Sequence, residues 1–376
     1  MNAMTDTPGA QDPALARLID QVQTARAAQG SFEIRGHGSK RFYGELPRGE
    51  VLDTRPLSGI SSYEPTELVV TVRAGTPLEE LEAALAEKGQ FLPFEPPRFQ
   101  GEGGRGTVGG MVAAGLAGPA RATVGSVRDF VLGATLLNGQ AEVLSFGGQV
   151  MKNVAGYDVA RMLAGSLGLL GVICEVSLKV LPVPVATRTL RFQLDQETAL
   201  RHLNVWGGQP LPVNASAWWN NTLVVRLSGA RAAVEAAGAR LGGEVVDEDQ
   251  AAAFWLGLRD QRDDFFQLAV TAVAQGGRSL WRLSVPQTAA PLAELGGHQL
   301  VEWGGAQRWV LTDLDPVQVR QAAQRAGGHA VLYAATDKSV GVFAPLTPPL
   351  ARIHRQLKAA FDPDRVFNPG RLYPDL

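Results

Sequence analysis

The stretch "RFQGEGGRGTVGG" at residues 98–110 restricts the fold more than any other part of the chain. Six of its thirteen residues are glycine. Glycine loses more backbone freedom on folding than any other residue, so this density is stable only in sharp turns or where backbone must approach a ligand closely. Gly101, Gly103 and Gly106 spell a literal G-x-G-x-x-G. A dinucleotide fingerprint of that form needs a strand before the first glycine and a helix opening at the last. Upstream, Pro93, Pro96 and Pro97 exclude a central strand. Downstream, Gly109, Gly110, Gly115 and Gly118 each weaken a helix by up to about 1 kcal/mol relative to alanine. The pattern is therefore not a Rossmann turn. No Gly-Lys pair occurs in the chain, which removes the Walker A alternative.

Two further glycine turns accompany this one: "RGHGS" at 35–39, directly after the short apolar strand "FEI", and "GSLGLLG" at 165–171. Successive amide groups in such turns form concavities suited to a diphosphate. Three turns around one ligand imply an extended dinucleotide. The candidate backbone donors are Gly36, His37, Gly38 and Ser39, then Thr107, Gly109 and Gly110; Ser39 and Thr107 add hydroxyls. Taken singly, each turn reads better as a tight turn of a crowded β fold with no ligand.

The 376 residues suffice for two domains, and 45% hydrophobic residues can fill a core in each. A formal net charge of -2 without a basic block argues against nucleic acid as a partner. The single cysteine, Cys174, allows no internal disulfide, iron-sulfur cluster or thiolate zinc site. In "VICEVSLKV" it shares one face of a predicted strand with Val172, Val176, Leu178 and Val180. The polar start and the lack of a long apolar run point to a cytoplasmic chain without a transmembrane segment. Association with a membrane would then be peripheral.

Residues 1–12 read as a disordered tail. Asp12 and Pro13 open a helix with Leu15, Leu18, Ile19 and Val22 on one face, closed by Gly30. "ELVVTVRAG" reads as a strand, and Thr76, Pro77 and Glu79 as a capping box before a helix that ends at Gly89. Asn138-Gly139 marks a hairpin turn, and Asp158 an N-cap of the helix "VARMLA". Beyond Pro182 and Pro184 the glycine clusters thin out. "TLRFQL", "TLVVRLSG", "SLWRLSVP" and "RWVLTD" then alternate as strands with alanine-rich helices. The expected class is α+β, with domains at 13–183 and 184–345 and a C-terminal segment at 346–376.

Taken together, the glycine turns, the hairpin, "GYD" at 156–158 and the closing strand resemble the FAD-binding domain of the vanillyl-alcohol oxidase superfamily, the PCMH type. The match runs from about Ser31 to Val183. "YEPTELVVTVRAGTPLEELEAALAEKGQFLPFEPP", "FGGQVMKNVAGYDVARMLAGSLG" and "FDPDRVFNPGRLY" are similar, more closely, to the FAD-binding subunits of bacterial glycolate oxidases. The resemblance implies a two-subdomain FAD-binding domain, an α+β (ferredoxin-like) cap, and a C-terminal segment that returns to the FAD domain.

It also implies FAD contacts. Arg35 and the donors named above, with Pro97, Gly118, Ser126 and Asp129, make up one part of that set. Asp158, Gly165, Gly171, Val172 and Asn368 complete it, with Asn368 near the isoalloxazine. Attachment is expected to be non-covalent, because His37 lies between two glycines and outside the usual covalent pattern.

Oxidation of a 2-hydroxy acid needs a base for the hydroxyl proton and a cation or metal for the carboxylate. Related catalytic subunits carry a histidine-rich H-x-G-D-G-N-x-H motif. Here the histidines stand alone at 37, 202, 298, 329 and 354, so no metal site or catalytic residue can be read from spacing. The expected role is an FAD-binding subunit that acts with a homologous catalytic flavin subunit and an iron-sulfur subunit in oxidation of glycolate to glyoxylate. Two alternatives stay open: a self-sufficient FAD-dependent 2-hydroxy acid dehydrogenase, with its carboxylate-binding arginine among Arg226, Arg259, Arg278 and Arg282, and a structural subunit that has lost FAD. Lys152, Arg128 and Arg161 are cations within reach of a flavin in this reading.

Overall fold

The computed structural model describes residues 12–148 and 159–376. The expectations for residues 1–11, Lys152, Tyr157 and Asp158 lie outside them.

The chain opens with the helix Pro13–Ala27, whose first turn is capped by Asp12 accepting from Ala14 N at 2.9 Å. Leu15, Leu18, Val22 and Ala25 are buried along it. They pack on a two-stranded parallel sheet made of Phe32–Arg35 and Glu50–Asp53. The left-handed residue after this helix is Gln29, one position before the expected Gly30.

A five-stranded antiparallel sheet follows, in the order Ile60–Glu64, Val69–Arg73, Val172–Lys179, Val131–Leu137, Val143–Gly147. The helices Leu78–Ala86 and Val108–Ala114 contribute Leu78, Leu81, Leu85, Met111 and Val112 to its core.

Three local expectations are corrected. Thr76 does not cap the helix after it: its hydroxyl donates to Gly59 O and accepts from Gly59 N, and the helix opens after Pro77 without a side-chain cap. The hairpin loop spans five residues, with Ala141 as its left-handed position. Asn138 Oδ1 accepts there from Gln140 N and Glu142 N. Gly139 is needed for another reason, because a Cβ there would lie 2.1 Å from Asp362 Oδ1. Cys174, finally, is a β-bulge: Thr135 and Leu136 are consecutive while their partners are Glu175 and Ile173. The extra residue reverses the face, so Val172 and Cys174 join the core under the opening helix while Val176, Leu178 and Val180 face the other core.

The second half is an eight-stranded antiparallel sheet that begins with Ala186–Gln193. It reads as two four-stranded units joined edge to edge. The first runs Glu244–Val245, Ala186–Gln193, Thr222–Gly229, Val213–Trp219, which is sequence order 4-1-3-2. The second runs His298–Glu302, Gln307–Thr312, Ser279–Ser284, His329–Ala334, again a ferredoxin-like order read from the opposite edge.

The last helix, Pro348–Phe361, leads the chain back to the first half. Phe32 N donates to Val366 O at 2.6 Å and Asn368 N to Phe32 O at 2.8 Å. A buried pair locks this return. Lys358 Nζ donates to Asp362 at 2.6 Å and to Leu169 O and Phe367 O at 2.8 Å, and Asp362 accepts from Val366 N and Phe367 N.

Candidate FAD-binding site

The strand Phe32–Arg35 is paired on both sides: with Glu50–Asp53 on one, and with Asn368 Oδ1, which accepts from Ile34 N at 2.8 Å, on the other. Beyond Arg35 the pairing ends and the chain turns through Gly36 and Gly38, the latter at φ 70°. A Cβ on Gly36 would sit 2.5 Å from Thr107 Oγ1, so only glycine brings the first glycine turn against the second. The amide groups of Gly36, His37, Gly38, Ser39 and Lys40 donate no hydrogen bond to any described residue. Buried amides are almost always paired, and a run of free ones around a left-handed glycine is an anion concavity.

The glycines of the 98–110 stretch close over this turn. A Cβ on Gly101 would lie 2.3 Å from His37 O and 2.5 Å from Ser39 N, and Gly103 N donates to His37 O at 3.2 Å. Close backbone approach, and not a phosphate at the G-x-G-x-x-G itself, accounts for their density.

Below the turn lies a cleft with about 830 Å³ of space between its walls, part of it open to solvent. Its walls are the 33–41 segment, Thr107, Gly109, Gly110, Ala113, Gly168, Gly171, Ile173, Asn368 and Arg371. Two buried polar atoms of this turn have no partner among the described residues and no contact with solvent: Lys40 Nζ, beside Gly106, and His37 Nδ1, beside Gly104. Burial pushes the Lys40 ammonium down to about 8, opposed by the charge of Asp260. Its neighbours include the Phe99 ring, 5.7 Å away.

Glu33, at the cleft edge, is pushed up by burial, but hydrogen bonds from Arg35 and Arg41 outweigh that and hold it below the usual carboxylate range. A depressed carboxylate contributes stability above its unfolded pKa of about 4.3 and loses it as pH falls through the folded value. Glu33→Gln should therefore flatten the acid limb of stability. Urea midpoints compared between pH 7 and pH 3 check this, and an unchanged slope contradicts it.

The cleft brings together Arg35, Gly36, His37, Gly38, Ser39, Thr107, Gly109, Gly110, Gly171 and Asn368. Two of these do not act as expected. Gly109 N donates to Ala74 O at 2.7 Å and Gly110 N to Thr107 Oγ1 at 3.2 Å, so the N-terminus of helix Val108–Ala114 spends its amides on protein. Pro97, Gly118 and Val172 are buried away from the cleft. Gly118 O instead accepts from Trp303 Nε1, joining the two halves. Ser126 and Asp129 form a capping box with each other. Ser126 and Gly165 line a separate cleft.

Sequence reasoning missed Lys40, Glu33, Thr54, Gly168 and Arg371 in the walls. Arg371 straps the turn by donating to Glu45 O and, at 2.8 Å, to Arg41 O. Its signal was the tail "NPGRLY", where only the asparagine drew notice.

A diphosphate fits what is present: a run of free amides around a left-handed glycine, and an unpartnered ammonium on the same turn. Fold and cleft together define an FAD-binding oxidoreductase subunit of the PCMH type. A family model for an FAD binding domain matches residues 15–147. Glycolate oxidase subunit GlcE of Escherichia coli K12 is 47% identical over 359 residues, spanning 96% of this chain and 97% of that one. The chain belongs to the family of that glycolate oxidase subunit. More distant likenesses cover less than half of the chain. Glycolate oxidase subunit GlcD of Bacillus subtilis is 30% identical over 42% of this chain and 33% of its own length, and D-lactate dehydrogenase of Anaerostipes hadrus 31% over 38% and 29%. A solved structure of alkyldihydroxyacetonephosphate synthase shares the fold at a TM-score of 0.65 and 15% identity, covering 94% of this chain and 75% of that one.

Proposed function

We propose that the chain is the FAD-binding subunit of a multi-subunit glycolate, or 2-hydroxy acid, oxidase. It acts with a homologous catalytic flavin subunit and passes electrons to an iron-sulfur subunit. The observation that carries the reading is the run of free amides at Gly36–Lys40 beside the unpartnered Lys40 ammonium, in a chain whose likeness to a glycolate oxidase subunit extends over 96% of its length. The diphosphate of FAD sits on that turn, non-covalently, with Lys40 as its counter-charge and Asn368 and Arg371 holding the turn from behind. When bound, the flavin supplies the two-electron chemistry; the protein binds and orients it.

Residues 13–183 and 346–376 act as the flavin-holding unit and 184–345 as the cap. Among the described residues no helix is long and apolar enough to cross a membrane, and contact with a membrane would come through the complex.

Of the four cap arginines considered for a self-sufficient enzyme, three are engaged or remote. Arg226 pairs with Glu95 at 2.7 Å, Arg259 pairs with Asp260 at 2.9 Å, and Arg278 is exposed. The FAD-loaded chain mixed anaerobically with glycolate should stay oxidised for hours, and bleach once the homologous flavin subunit and the iron-sulfur subunit are added. Rapid bleaching by glycolate alone would instead make it a dehydrogenase in its own right.

A further inference from the structure

The second half of the molecule holds the chain on both sides of the Gly36–Lys40 turn. After the turn, Arg282, the fourth of those arginines, donates to Tyr43 Oη at 3.0 Å, Lys338 Nζ donates to Phe42 O and Gly44 O, and Val342 N donates to Glu45 Oε1 at 2.6 Å. On the other side, one carboxylate holds the stretch that covers the turn. Asp260 ends the helix Glu248–Arg259, and its side chain is 0% exposed. Its Oδ1 accepts from Arg98 N at 3.0 Å and its Oδ2 from Arg105 Nη2 at 3.2 Å, both donors belonging to the first half. Arg259 and Arg262, from its own half, donate at 2.9 and 3.0 Å.

Burial pushes this carboxyl up, but the bonds and charge of Arg259, with the Arg98 amide, outweigh that and hold it below the usual carboxylate range. Asp260 is therefore ionised at neutral pH. A negative charge at a helix C-terminus opposes the helix dipole. The helix that carries Asp260 is not stabilised by it; the 98–105 stretch is.

Arg98 and Arg105 bracket the part of the glycine stretch that lies against the FAD turn. Between them stand Gly101, set too close to His37 O and Ser39 N to admit a Cβ, and Gly103, whose amide donates to His37 O. Gly104 follows, where a Cβ would meet the His37 ring at 2.9 Å. The internal pairing of the stretch is the short Gly101–Gly104 bridge. Three glycines in four residues make it costly in entropy to order, so the closed form depends on the anchors at its ends. The charge of Asp260 also opposes the burial of the Lys40 ammonium, which lies beside Gly106.

We propose that Asp260 is a positioning residue of the FAD turn: by tying Arg98 and Arg105 it keeps the 98–105 stretch closed over Gly36–Lys40, and so makes FAD affinity depend on the docking of the second half. That this closure serves FAD rests on the functional reading above; the tether itself does not. Linkage runs both ways, so bound FAD should in turn hold the stretch closed.

Two readouts on the full-length apoprotein test this: FAD titration by flavin fluorescence, and cleavage after Glu102 by a glutamate-specific protease. Glu102 lies between the anchors with its side chain 81% exposed, so cleavage there follows the opening of the stretch. Asp260→Asn should weaken FAD by about tenfold or more, the loss of a charge-assisted contact, and speed the cleavage. Arg105→Gln leaves Asp260 with Arg98 N, Arg259 and Arg262. It should keep the wild-type melting temperature, weaken FAD by about threefold to tenfold and speed the same cleavage. Both substitutions together should have less effect than the product of the two, because they release one tether. Added FAD should slow the cleavage of wild type. A wild type that holds FAD while both variants hold it equally well, cleavage after Glu102 as slow in both variants as in wild type, or effects that simply multiply would each overturn the proposal and leave the FAD reading intact. A wild type that takes up no FAD would overturn that reading, and the proposal with it.

Discussion

Lys358→Met should destabilise the protein by about 3–5 kcal/mol, the cost of leaving one member of a buried ion pair without its partner. The Lys358 and Asp362 side chains are 4% and 0% exposed, so water cannot replace the lost ammonium. Leu169 O and Phe367 O lose their donor in the same step. These groups fix the return of the tail, and with it Asn368, whose amide bonds Ile34 N and Leu167 O behind the flavin turn. FAD affinity should therefore fall together with stability. Adding Asp362→Asn should recover part of the loss, because it removes the orphaned charge while keeping an acceptor. Denaturant unfolding of the apoprotein checks this, and a loss under about 1 kcal/mol, the scale of one ordinary hydrogen bond, would mean the pair is not the lock described here.

Lys40→Met should have opposite effects on two states of the protein. In the apoprotein it replaces a sealed, unpartnered ammonium with a thioether, so stability at neutral pH should rise. With FAD it removes the counter-charge of the diphosphate, and affinity should fall by about tenfold to a hundredfold, as expected for a charge-assisted hydrogen bond of roughly 1.5–3 kcal/mol. The sign with pH follows from the ammonium being pushed down to about 8 by burial. Between that value and about 10.4, the unfolded chain still holds the proton that the folded chain has released, so wild-type apoprotein gains stability as pH rises across this window. Lys40→Met should abolish the gain. Titrating flavin fluorescence for affinity and melting at pH 7 and pH 9.5 for stability read both arms. Equal FAD affinity in variant and wild type would show that Lys40 faces something other than the cofactor.

Much of the site could be read from the sequence because glycine leaves a local signature. The turn at Arg35–Ser39 follows a strand and carries a left-handed glycine, and both facts stand in five residues. The 98–110 stretch was legible as a close approach, though what Gly101 approaches, the carbonyl of His37, only the fold supplies. Legibility ended where a group's partner lies far along the chain. Gly109 looks like a free donor until Ala74 O is seen to take its amide, and Gly118 looks like a phosphate turn until Trp303 is seen to bond it. The bulge at Cys174 was hidden because "VICEVSLKV" alternates without interruption, and only pairing with Val131–Leu137 inserts the extra residue. Lys40 was passed over for the opposite reason: a lysine after a glycine turn reads as surface charge, and its isolation is visible only once Phe99 and Gly106 close over it. The cap strands Val213–Trp219, His298–Glu302 and His329–Ala334 were missed because their apolar residues do not separate cleanly from the alanine-rich helices around them.

On the function proposed above, this chain holds FAD non-covalently on the Gly36–Lys40 turn. The most direct measurement is the visible absorption spectrum of the purified chain before and after acid precipitation, with Lys40→Met and wild type in parallel. A flavin band that acid releases into the supernatant, and that is weaker in the variant at equal protein concentration, is the predicted result. A colourless wild type that takes up no added FAD, or a flavin that stays with the precipitate, would contradict it.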